Sequence, residues 1–369
     1  MTQTHGRGRN AAAFTLIELL VVIAIIALLI GILLPALGQA RRSAQAVIAG
    51  ANARTVAQGV ALYSTSNEDY FPPSYVYSPD EEGYNWRLSD QRQSNPNPQY
   101  GYIHWSYALF GNGEVPANAF ESPGAFHGGA PRTSPGGDVN DWEDNQINDV
   151  NNSGPDDTVK DRQVPRIAFM GNAAIFPRNK FNVPDSPQFT HRNRLVRGSE
   201  IQHGATTILL SEISDANGWR LLAASEGGTG VDRWKCKSHR SITPFTTTAS
   251  GSGDPVPDAQ IFQAPETRSK PYRYLNPVWG DGGTAALVKD EDLDKPNMQG
   301  VIISSPLNVV SRRHNGKANF AFVDGHVEMD ELLNTIRDAK WGDRFYSLTG
   351  DNRVWLPDEL KRHNQWEDE

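Results

Sequence analysis

One carboxylate interrupts the most apolar run of the chain: in AFTLIELLVVIAIIALLIGILLPALGQARR, residues 13–42, Glu18 stands four positions after Phe14. A charged side chain costs up to about 3 kcal/mol at the centre of a bilayer, and such residues have a partner or a function. Glu18 is therefore either an interfacial carboxylate reaching water or one half of an ion pair at the same depth. A cut between Ala13 and Phe14 would supply the cation, as a free amine on Phe14. A second constellation lies near the C-terminus, where His314, nine intervening residues, Asp324, Gly325 and His326 follow one another. His314, Asp324 and His326 are weak candidates for transition-metal ligands, with the carboxylate orienting an imidazole. In the structural reading adopted here, Asp324-Gly325 makes a tight turn and His314 hydrogen-bonds across the base of a hairpin. A third group, Asp138, Asp141, Glu143, Asp144, Asp149, Asp156 and Asp157, is rich in hard oxygen ligands but lacks a calcium-loop spacing with its central Gly. It reads as a solvated acidic insertion. Cys236 is the single cysteine, which rules out an intramolecular disulfide and suits a structural thiol. No nucleophilic triad, phosphate loop or cysteine cluster has convincing spacing, so neither an enzyme nor a cofactor is expected.

These residues need elements to hold them. From Phe14 to Leu37 the apolar run is about two dozen residues long, enough for a helix to cross about 30 Å of hydrocarbon. Arg7 and Arg9 precede it, as in a signal peptide, but the small residues Ala11, Ala12 and Ala13 come before the run rather than after it. That order predicts cleavage ahead of the helix, which then stays on the mature protein. Beyond Pro35 the pattern continues through Leu37, Ala40, Ala44, Val47, Ile48, Ala51 and Leu62 at helical spacing. Ala44, Ala51, Ala53, Ala57 and Gly59 permit close packing, against the sheet or a neighbouring subunit. The helix is expected to stop near Ser64–Asp69, ahead of Pro72 and Pro73. Residues 166–172, 206–213, 300–305, 318–323 and 326–329 read as strands, the last two joined by Asp324-Gly325 as a hairpin. The expected fold class is α+β, a long N-terminal helix packed on an antiparallel sheet domain with long loop insertions.

Composition bounds the rest. The chain has 369 residues, a formal net charge of −8, 33 Gly and 24 Pro, so much of it must be turns and irregular connections. An acidic chain is a poor partner for nucleic-acid phosphates, and no nucleic-acid partner is expected.

The segment AFTLIELLVVIAIIALLIGILLPAL resembles the N-terminus of type IV prepilins and type II secretion pseudopilins. The resemblance implies removal of a leader, residues 1–13, by a membrane prepilin peptidase, and N-methylation of Phe14. It makes Glu18 the family's fifth-position Glu and Pro35 its helix-kinking Pro. Ala13 stands where the family has Gly, so processing is expected to survive at a slower rate. HNGKANFAFVDGHVE, residues 314–328, is similar to the signature of prepilin-type processing-associated H-X9-DG proteins, with His314, Asp324 and Gly325 in the motif positions. YFPPS, HWSYAL, AFESPG and TTILLSE are further family-like pieces. Ser122-Pro123 departs from the Cys-Pro of many members. The resemblance implies a transmembrane and assembly helix over 14–37, an amphipathic continuation over 38–66 and an exoplasmic, loop-rich, pilin-like domain over 67–369. The protein would sit in the inner membrane as a single-pass subunit, its domain periplasmic or outside the cell. Its partners would be prepilin peptidase, other pseudopilin subunits and an inner-membrane assembly platform. The alternative from another class is a membrane-anchored exoplasmic binding protein or enzyme acting on polysaccharide or a secreted substrate.

Overall fold

The computed structural model describes residues 16–79, 91, 99–111, 113–149, 159–179, 181, 193–225, 233–246, 272–274, 306–350 and 352–356. Ala13, Phe14, Asp156, Asp157 and the strand expected at 300–305 lie outside the described residues.

Helix α1 runs through Leu16–Ser66, 51 residues. The chain divides after Ala44 into two compact units. In the first, no part of the most apolar stretch is buried. This is a helix long and apolar enough to cross a membrane. Pro35 lies inside it, where its missing N–H forfeits one intrahelical bond.

The second unit contains β1 (Tyr75–Tyr77), β2 (Tyr102–His104), the short helix α2 (Trp105–Phe110), β3 (Phe169–Gly171), β4 (Ile208–Glu212), β5 (Lys317–Phe322), β6 (Val327–Glu331) and α3 (Leu332–Arg337). Its principal sheet has the order β6-β5-β4-β3 and is antiparallel throughout. β4 is buried at every position, which explains why ILLSE shows no period-two alternation: both sheet faces are covered there. The α+β reading holds, but the two three-stranded sheets are mixed. Gln146–Ile147 pairs in parallel with Trp234–Lys235, and Tyr272–Tyr274 in parallel with Val354–Trp355.

The domain-facing stripe of α1 differs from the one expected. Val47, Ile48 and Leu62 are 72%, 50% and 51% exposed, and Ala44 and Ala51 are exposed too. The buried stripe is Ala46, Ala49, Ala53, Val56, Ala57 and Val60. Glycine is needed where domain side chains press on the helix backbone: a Cβ on Gly59 would lie 2.3 Å from Val115 Cγ2, and one on Gly50 would lie 3.1 Å from Asn319 Oδ1. Of the small residues expected to pack, Ala53, Ala57 and Gly59 do so.

The β5–β6 connection also refines the expectation. Phe322 C=O accepts from Gly325 N–H at 2.9 Å, and Phe322 N–H donates to His326 C=O at 2.9 Å. Gly325 has φ +88° while Asp324 keeps negative φ, so the loop is a type I turn closed by a left-handed Gly rather than a two-residue turn. Asp324 fixes it by accepting from His326 N–H at 3.1 Å.

Candidate functional site

The first unit offers an apolar rod bearing a single carboxylate, Glu18, in its first described turn. Every residue of Leu16–Ala44 is exposed, so the unit presents its apolar surface outward on all sides, as a helix does when lipid or other apolar helices surround it.

In the second unit α1 is held by a buried polar cluster. Its hub is Glu212 at the end of β4, whose side chain is 0% exposed. Arg313 Nη1 donates to Glu212 Oε1 at 2.6 Å, Ser122 Oγ to the same oxygen at 2.7 Å, and His314 Nε2 to Oε2 at 2.9 Å. Asn319 Nδ2 donates to Oε2 at 3.0 Å and also reaches Ala46 C=O of α1 at 3.3 Å. Arg313 extends the cluster through Nη2 to Asp215 Oδ1 at 2.7 Å. Burial alone would raise the Glu212 carboxyl, but the His314 hydrogen bond, the charges of Arg313 and His314 and the Ser122 hydroxyl outweigh it and hold the group below its ordinary value. The cluster is an ionised carboxylate fully supplied with donors, and it ties β4, β5 and the Ser122 turn to the helix backbone.

His314 therefore acts differently from the expectation. Its backbone pairs with Lys317 at the foot of the hairpin, but its ring turns to Glu212 on the neighbouring strand. Asp324 and His326 sit beyond the opposite end of β5, where Asp324 Oδ1 meets His326 Nδ1 at 2.6 Å and the His326 ring stacks on Phe322 at 4.3 Å. The three side chains considered as metal ligands are not gathered, and no group of three His, Cys, Asp or Glu converges among the described residues. The acidic segment is also not simply solvated. Asp149 pairs with Lys237 at 2.7 Å and accepts from the Tyr102 hydroxyl at 2.8 Å, while Glu143 pairs with Arg166. Cys236 is fully buried, donates to Pro131 C=O at 3.3 Å, and burial pushes its thiol up to about 11, which suits an inert structural residue.

The rod decides the comparison with known proteins. A family model, the prokaryotic N-terminal methylation motif, matches residues 8–34. The matched residues include Ala13, Phe14 and Glu18 and stop just short of Pro35. No curated protein and no solved structure matches the chain. The methylation motif marks a prepilin-like precursor, a substrate for peptidase processing, and with the one helix among the described residues that is long and apolar enough to span a bilayer it suits single-pass membrane anchoring.

Glu212, the centre of the buried cluster, was missed by the sequence reading, although TTILLSE contains it. The available signal was a carboxylate closing an otherwise apolar strand. Ser122 was noticed only as a departure from Cys-Pro. Its hydroxyl is in fact a donor to a buried carboxylate, a task for which a thiol is poorly suited.

Proposed function

We propose that the protein is a structural subunit, a pseudopilin or minor pilin, of a type II secretion-like or type IV pilus-like filament. The observation that carries this reading is the methylation motif on the exposed apolar part of a helix whose continuation is built into a folded domain. In this account prepilin peptidase cuts between Ala13 and Phe14 and the new Phe14 amine is N-methylated. Glu18 pairs with the amine of an adjacent subunit in the membrane, which offsets the cost of a carboxylate in lipid and sets the axial register. The leader faces the cytoplasm and the domain lies in the periplasm or outside the cell. His314, Asp324 and Gly325 are read as the H-X9-DG signature, with a structural part: His314 steadies Glu212, and Asp324-Gly325 turns the strand that carries Asn319 to the helix. The chain is a building element here rather than an enzyme, and needs no cofactor.

The test uses a tagged Glu18→Val chain expressed beside the parent, with photo-crosslinking in intact membranes. Leader removal should be retained while crosslinks between variant and parent fall several-fold. Parent-level crosslinking would refute the register role of Glu18.

A further inference from the structure

Beside the Glu212 cluster, a cavity of about 590 Å³ opens in the second unit, lined by Phe126, Trp142, Trp219, Asp144, Arg166 and Arg220 with their neighbours. That volume lies within the range that holds a small-molecule ligand. The aromatic side chains are fixed from behind. Trp142 Nε1 donates to Gly136 C=O at 3.0 Å, and Phe126, 45% exposed, stacks on the His127 ring at 4.0 Å between centroids while its backbone N–H is held by Asp215. Phe126 and the half-buried Trp142 keep exposed surface at the cavity, whereas Trp219 is buried behind it. His127 itself is held at φ +49°, a left-handed conformation that costs energy in a non-Gly residue.

The charges select the ligand. Asp141, Glu143 and Asp144 oppose a phosphate or other anion, while Arg166 and Arg220 oppose a cation. Over Trp219 the place of a stacked ligand is already taken, since the Arg220 guanidinium lies 5.8 Å from the Trp219 ring and 5.7 Å from the Trp234 ring, which leaves Trp142 and Phe126 as the stacking surfaces. Glu143 is committed to Arg166 and His127, whereas no side-chain hydrogen bond engages the exposed carboxylates of Asp141 and Asp144 among the described residues. Rigid aromatic faces, spare carboxylate acceptors and fixed guanidinium donors with no dominant sign of charge match a neutral polyhydroxylated ring. Its C–H face stacks on an aromatic ring and its hydroxyls bridge the charged groups. We propose that this cleft binds a neutral saccharide of a few sugar units. The proposal is independent of the filament reading.

The experiment is titration of the full chain, in a detergent without a sugar headgroup, with cellohexaose, chitohexaose and mannohexaose, followed by tryptophan fluorescence and calorimetry. Choline and inorganic phosphate are titrated in parallel. At least one oligosaccharide should bind saturably with Kd below about 1 mM, and Trp142→Ala should weaken it by about tenfold or more. Asp144→Asn, a change at an exposed side chain that keeps the fold, should weaken the same ligand several-fold with an unaltered melting curve. Saturable binding of choline or phosphate at this cleft, absence of binding by all three oligosaccharides, or binding indifferent to both substitutions would each overturn the proposal.

Discussion

Arg313→Met is the most informative perturbation of the buried cluster. The substitution removes the 2.6 Å bond to Glu212, the 2.7 Å bond to Asp215 and a 3.2 Å bond to Ser122 Oγ. It leaves Glu212, with no exposed side-chain surface, to His314, Ser122 and Asn319 alone. Breaking a buried pair on one side costs about 3–5 kcal/mol, and the three surviving donors place this case at about 3 kcal/mol. Much of that loss is the uncompensated charge, so adding Glu212→Gln should restore part of it. The double variant should be more stable than Arg313→Met by about 1 kcal/mol or more, a non-additivity expected only of groups in one network. Urea unfolding of the full chain in detergent, followed by circular dichroism at constant m-value, measures all three variants. Single losses that add within about 0.5 kcal/mol would refute the idea that Arg313 and Glu212 form one buried unit.

Gly325→Val should destabilise by about 1–2 kcal/mol through the φ of +88° alone, since a Cβ there meets no atom, while Gly325→Asn should melt close to the parent; equal melting of both variants would contradict the left-handed turn. Gly59→Ala should cost about 1–3 kcal/mol because its Cβ falls 2.3 Å from Val115 Cγ2, and an unchanged unfolding midpoint would contradict the close docking of α1. Acid should destabilise the domain early. Burial pushes His104 down to about 3, and burial with the charges of Lys237 and Arg240 pushes His239 below its ordinary value, so both take up protons more readily when unfolded. Their contribution is complete above the ordinary histidine value of about 6.5 and is lost as pH falls from there toward the folded values. Asp161 opposes this trend: burial raises it to about 7 against its bonds from the Tyr102 and Ser134 N–H groups, so it costs stability as pH rises from about 4 to 7. The melting temperature should therefore drop between pH 6.5 and 4, and more steeply in Asp161→Asn; a flat profile in both would show that these groups are not buried as described.

The elements that were legible in the sequence are those set by local chemistry. A run of two dozen apolar residues specifies a helix long enough to cross a bilayer, and Asp-Gly between two short runs turns a strand, because each signal resides in neighbouring residues. The features that were not legible depend on partners distant in the chain. Ser122, Glu212 and Arg313 meet only after the sheet has formed, and Asp149 finds Lys237 across a similar gap. The helix face was misjudged for a related reason. Val47, Ile48 and Leu62 carry larger apolar side chains, but the face that packs is the one bearing Gly50 and Gly59, where Asn319 and Val115 press against the helix.

The account rests first on the processing of the N-terminus. Mass spectrometry of the terminal peptide from membrane-extracted protein, in cells with active prepilin peptidase, tests it most directly. The expected peptide begins at Phe14 with one N-methyl group. An intact Met1 terminus, or a cut after Ala40 that removes the apolar helix, would contradict it.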